Sequence, residues 1–256
     1  MEITDRQIVE YVTLYAWPFL RISGFLIALP ILSSGIIPAY IKVVLAMFIA
    51  ILIAPGLPKT EFIDVLSLDG LITAIVQIVI GLIIGFIVKI VFSAMETGGY
   101  IVGQTMGLGF AQMNDPTNGI TVPVISQFYT VLATLIFLIL NGHLIMINVI
   151  SDSFTIIPVS EFSSVSNGLW KLIMWSGWIF TGSVLIALPA VGALLLVNIA
   201  FGVMMRAAPQ LNIFTIGFPI SLMLGLLFIM FTLPVFSNQF IDILDNTVIT
   251  ANHMFE

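Results

Sequence analysis

Apolar residues run along this chain in long blocks separated by short polar joints. Ile22 to Ile41 carries no charge, although Pro30 and Pro38 interrupt it, and a shorter apolar run follows from Val43 to Pro58. Gly70 to Val88, Pro116 to Ser151, Leu172 to Met205 and Ala207 to Ile241 contain no Asp, Glu, Lys or Arg. A helix needs about 20 apolar residues to cross the hydrocarbon core of a bilayer. The pattern predicts helices near 8–32, 37–54, 70–96, 122–150, 170–205 and 213–241. Barrel strands would alternate apolar and polar positions, and these runs do not. The fold class is therefore all-α: a polytopic membrane protein of long apolar helices and helical hairpins. Each helix satisfies its own backbone groups, which lipid cannot do.

Composition strengthens this reading. The chain has 256 residues, 60% hydrophobic and only 8% charged, with a mean hydropathy of +1.20. Soluble chains carry roughly 25% charged residues, so the apolar excess has to face lipid or protein partners. The length suits one membrane domain, 1–256, with wet loops about 55–69 and 151–169 and a polar C-terminal tail at 241–256. A net charge of −6 with seven scattered basic residues argues against nucleic acid, which needs clustered Lys and Arg. The absence of cysteine excludes disulfides and thiolate chemistry. The acidic start, Met-Glu-Ile-Thr-Asp-Arg, does not read as a cleavable signal.

Orientation should follow from Lys and Arg in short loops. Six spans would put Arg6, Lys59 and Lys171 on one side and Lys42, Lys89 and Arg206 on the other, with Arg21 inside the first span. The balance gives no direction, so either the topology is not a simple serpentine, or partners fix it, or a span is miscounted.

Three stretches depart from plain apolar helix. Glu96 to Gly119 places Gly99, Gly103 and Gly107 at every fourth residue, a spacing that allows close approach of a neighbouring helix. Gly109 loosens the backbone beyond it, and Asp115-Pro116 ends the stretch. The stretch is either a tight packing site with a turn, or a mobile loop whose Met106, Leu108, Phe110 and Met113 close a passage. Met and Phe suit the second because they fill a gap and repack. Asn198 to Pro219 holds Arg206 between two charge-free runs, with Pro209 and Gln210 just beyond. An Arg there snorkels, pairs or caps a helix end, and Glu96 is its candidate partner. Asn141-Gly142-His143 interrupts another apolar run. A lone His there is either a proton relay or, more commonly, a hydrogen-bonding residue between helices.

No catalytic constellation, nucleotide-binding glycine motif or metal-ligand spacing is present, so the chain does not read as an enzyme and calls for no cofactor.

Several of these motifs, in this order, resemble one known family. They are Trp17-Pro18-Phe19-Leu20-Arg21, Ile37-Pro38-Ala39-Tyr40-Ile41-Lys42, Ala54-Pro55, Glu96 to Gly119, Asn141-Gly142-His143, Ser153-Phe154 with Pro158, and Asn198 to Pro219. They look like the FliR/SctT/SpaR family of type III export-apparatus proteins, over Trp17 to about Phe240. Met-Gly-Leu-Gly-Phe-Ala before Asp-Pro, and Arg-X2-Pro-Gln-X-Asn-X-Phe, look closer to its flagellar members. The resemblance implies a core subunit of the flagellar export gate, in the bacterial inner membrane at the centre of the basal body. There it would form, with FliP and FliQ, the conduit for unfolded flagellar subunits, next to FlhB and FlhA. It implies FliP/FliQ-like packing in a helical assembly, with much apolar surface covered by other subunits as well as by lipid. It carries a channel-plug role onto Gly107, Leu108, Gly109, Phe110, Ala111, Gln112 and Met113, within a plug-like loop about 104–119. Arg206 and Gln210 match a family motif without a role beyond subunit packing.

Two other readings stand beside it. A small-solute secondary transporter would show paired ionisable groups at membrane depth and two similar halves; Pro189 breaks a span, but no matching half or internal repeat is visible. A purely structural membrane subunit would line no conduit.

Overall fold

The computed structural model describes residues 5–33, 37–58, 63, 65, 67–109, 124–161, 163–207 and 213–254. Every regular element among them is helical. In chain order these are α1 (Asp5–Ala28), α2 (Pro30–Ser33), α3 (Ala39–Ile53) with a 3₁₀ turn at Ala54–Gly56, α4 (Leu68–Thr105), α5 (Val124–Ile139), α6 (Gly142–Ile156), α7 (Ser163–Trp175), α8 (Trp178–Ala207) and α9 (Ile213–Asn252). Pro30 and Pro38 mark the break between α1 and α3, because proline removes a donor and forces the preceding residue out of the helical region.

Several boundaries differ from those the sequence predicts. α4 continues through Gly98, Gly99 and Gly103 to Thr105, well past residue 96. The run expected as one helix over 122–150 is divided at Asn141, which adopts the left-handed conformation with φ 55°. Asn reaches that region more easily than other non-glycine residues because its short amide bonds locally. The helix expected over 170–205 is two, α7 and α8, joined by a turn at Ser176–Gly177. Pro189 lies inside α8 without ending it. α9 reaches Asn252, beyond the expected 241. Its extension buries Ile243, Leu244, Thr247 and Ala251 at helical spacing, and Asp242 and Asp245 stand exposed beside that uncharged stripe.

By length and composition, four helical stretches among the described residues can cross a membrane: Ala39–Gly56, Leu68–Thr105, Val165–Ala207 and Gly217–Asn252. The pair α5–α6 makes a fifth if its interruption is counted within one span. α1 contributes only a shorter apolar helix, Val12–Ala28. At 1.5 Å per residue α4 is about 57 Å long, against a hydrocarbon core of about 30 Å. Four such stretches, or five, among the described residues are fewer than the six spans on which the side-by-side count of Lys and Arg was based. The chain is a polytopic all-α membrane protein.

The chain divides into two compact units, with α4 running from one into the other. The first comprises residues 1–90, 140–176 and 245–256. Small residues bring its helices together. Ala46 and Ala50 of α3 and Ala54 of the 3₁₀ turn are buried, and both elements pack on α1. Where α1 meets α4, a Cβ on Gly24 would strike the Ile78 carbonyl, one on Gly81 the Arg21 carbonyl, and one on Gly85 the Phe25 carbonyl and the Ala28 methyl. Such a crossing maximises packing contact where lipid supplies no hydrophobic drive between helices. Trp17, Phe154 and Val159 form a buried cluster, with Leu20, Leu57, Ile63, Val65 and Ala74 around it. Lys171 donates to the His253 carbonyl just past the end of α9 (2.9 Å), a cation where the helix dipole favours one.

The second unit comprises residues 91–139 and 177–244. An aromatic hub holds it: Phe92 lies edge-on to Phe137 and Phe240, at 5.7 and 6.0 Å between ring centroids, and Tyr129 packs on Phe236 at 4.8 Å. Gly98 lies close to the Ser183 carbonyl and Ile186, and Gly182 to Ala94 and Ile243. Large apolar side chains stand exposed outside both cores, among them Tyr40, Phe48 and Leu52 on α3, Phe180 and Leu196 on α8, and Met223 and Phe231 on α9.

Candidate functional site

The glycine-bearing end of α4 has the one positive φ among the described residues of the second unit. Gly99 sits where a Cβ would fall 2.7 Å from the Ser126 Cα and 2.9 Å from the Ile125 carbonyl, so α4 and α5 touch backbone to backbone. Gly103 is buried one turn further along. The helix then tightens. The Met106 amide still bonds the Val102 carbonyl (3.0 Å), but the Gly107 amide bonds Gln104, three residues back (3.0 Å). Gly107 has φ +88°, a conformation that side-chain-bearing residues rarely adopt. The Phe218 ring edge covers it, 3.1 Å from where a Cβ would stand.

Met106 is buried at 1% exposure. It lodges against Gly225 of α9, where an added Cβ would lie 2.6 Å from its Cγ and Cε and 2.9 Å from its Sδ. Gly217, Ser221 and Gly225 recur every fourth residue as the buried side of α9 there. Leu108 and Gly109 follow, half-buried. Phe110, Ala111, Gln112 and Met113 lie outside the described residues, as does Gln210.

The other singled-out residues do not gather here. Glu96 and Arg206 are both exposed, and no ion pair joins them among the described residues. Arg206 stands in the last turn of α8, where a cation complements the helix end. Asn141 is the exposed left-handed residue that opens α6. His143 is half-buried one residue into that helix, with its Nδ1 shielded and without a hydrogen-bond partner.

Arg21 is the residue that pattern reading passed over. It is fully buried in the first unit. Its Nε donates to Gln77 Oε1 (2.7 Å), Nη1 to Ser153 Oγ (3.0 Å) and Nη2 to the Ile157 carbonyl (3.1 Å). The guanidinium also lies 3.8 Å over the Phe154 ring. All four partners are uncharged. Ser153 in turn donates to Ile150 O (2.6 Å), and Gln77 to Val159 O (3.4 Å). One planar fork therefore ties α1 to α4 and to the C-terminal end of α6, where Ile157 carries a carbonyl that the helix leaves unsatisfied. The available signal was a single Arg in an apolar run one turn after Trp17-Pro18, but nothing in the sequence pointed to its neutral partners.

Comparison with known proteins covers nearly the whole chain. Residues 12–247 match the family model described as bacterial export proteins, family 1. The flagellar biosynthetic protein FliR of Escherichia coli K12 is 38% identical over 226 residues, 88% of this chain and 86% of that protein. The protein of the same name from Pectobacterium carotovorum is 37% identical over the same shares of the two chains. The one from Buchnera aphidicola of Acyrthosiphon pisum is 32% identical over 247 residues, 96% of this chain and 95% of its own. With an all-α membrane fold and a match that runs from α1 into the last turns of α9, this chain belongs to the bacterial export proteins, family 1.

Proposed function

We propose that this chain is a FliR-type core subunit of the flagellar type III export gate. In the bacterial inner membrane, at the centre of the basal body, it forms with FliP- and FliQ-type subunits the conduit for unfolded flagellar subunits. FlhB lies at the entrance and FlhA supplies drive. The family match over residues 12–247 carries this reading. The exposed apolar faces of α3, α8 and α9 support it as well, since they fit burial against other subunits and lipid.

The work of the subunit is steric rather than catalytic. The segment from Gly107 to Met113 acts as a plug: apolar side chains keep water and ions out of a narrow passage, and an entering chain displaces them. Gly107 supports this role as a left-handed pivot at the end of a 38-residue apolar helix. Gly99 and Gly103 hold the helix before the pivot by close packing. Arg206, Gln210, Glu96, Asn141 and His143 serve packing and helix ends.

Two measurements test this reading. Deleting the gene in its own organism should abolish filament growth and secretion of flagellar subunits; full-length filaments without it would overturn the assignment. Replacing residues 107–113 by a shorter Gly/Ser link in otherwise assembled complexes should raise ion leak across the inner membrane. Unchanged conductance would sink the plug.

A further inference from the structure

We infer that Met106 and Gly225 form a latch: the Met106 side chain seats in a glycine notch on α9, and the end of α4 must leave that notch for export to proceed. The latch rests on the export reading above, and it assigns a positioning role to α9, a helix outside the plug segment.

Contrast along α4 carries it. At Gly99 the helix meets α5 through backbone atoms, which cannot separate without moving whole helices. At Met106 it meets α9 through a flexible, unbranched side chain in a notch shaped by the missing Cβ of Gly225. Thioether and methylene groups make no directional bond there, so the seat can be vacated without breaking a hydrogen bond. The next residue is the left-handed Gly107, whose backbone can turn without a Cβ penalty. The Phe218 edge closes over Gly107 and covers the pivot. A fixed backbone contact, a side-chain seat and a glycine pivot thus succeed one another within nine residues.

Because the chain has no cysteine, a Met106→Cys/Gly225→Cys pair reads the contact without background. The Gly225 Cβ position is 2.6 Å from Met106 Cγ. The two Cβ atoms then lie within about 4 Å, in disulfide range. In cells that assemble the complex, a membrane-permeant oxidant should link the pair, seen as two fragments held together after cleavage between them. Export should fall several-fold on oxidation and recover with dithiothreitol, while either single cysteine is indifferent to oxidant. Failure to link would overturn the seat, and a linked pair with undiminished export would overturn the latch. If the double variant does not accumulate, Gly225→Ala should raise ion leak several-fold, whereas Gly192→Ala, whose Cβ meets nothing within 4 Å, should not. Wild-type leak and export in Gly225→Ala would also refute the inference. A chain that is no export subunit would be recognised separately, by normal filaments after gene deletion.

Discussion

Replacing Arg21 by Met removes the guanidinium while keeping much of its apolar stem. Gln77 Oε1 and the Ile157 carbonyl lose their charged donor, whereas Ser153 keeps its own bond to Ile150. Each buried acceptor left without a partner costs about 1–3 kcal/mol. The stack on Phe154 contributes about 0.5–2 kcal/mol more. Part of this is offset because a buried charge no longer has to be desolvated. The net loss should be about 2–5 kcal/mol, which at roughly 2–4 °C per kcal/mol lowers the unfolding midpoint by about 4–20 °C. Thermal unfolding of the detergent-purified protein, followed by tryptophan fluorescence, reads this directly, since Trp17 lies in the cluster with Phe154. Adding Gln77→Leu removes one orphaned acceptor, so the double variant should be less destabilised than the two singles combined, by about 1–2 kcal/mol. A midpoint within the scatter of wild type, or strict additivity of the pair, would refute the view that Arg21 ties α1, α4 and α6 together.

Other perturbations probe the same geometry. Gly107→Val forces a branched side chain into left-handed backbone at about 1–2 kcal/mol, and should raise ion leak without lowering the amount of assembled complex. Gly81→Leu places a side chain into the Arg21 carbonyl, and the protein should fail to accumulate in membranes, as a blot would show. Lys171→Ala loses one exposed bond to the His253 carbonyl; the midpoint should hold, with only the last turn of α9 cut faster by protease.

The long helices were legible because absence of charge over twenty or more residues is itself the membrane signal. Their ends were not. Gly98, Gly99 and Gly103 look like helix breakers in water, yet here they sit at contacts or in buried positions within α4. Asn141 breaks a helix through a left-handed backbone that no hydrophobic pattern encodes. The α9 extension was hidden because Asp242, Asp245 and Asn246 make it read as polar tail, although every third or fourth residue is buried. Around the candidate site, the four-residue spacing of Gly99, Gly103 and Gly107 was visible, and so was the family resemblance. The seat for Met106 was invisible, since it needs Gly225 brought from more than a hundred residues away. Arg21 was hidden for the same reason: its partners come from α4, α6 and the residue after α6.

In the proposed function this chain borders the path of exported protein. A photo-crosslinking amino acid at Phe110, in cells carrying a flagellar subunit stalled by a folded C-terminal fusion, probes that position at the path itself. A covalent adduct should form between this chain and the stalled subunit, and should be absent when the subunit lacks its export signal. Adducts to lipid or neighbouring membrane subunits alone, with the substrate demonstrably stalled, would contradict it.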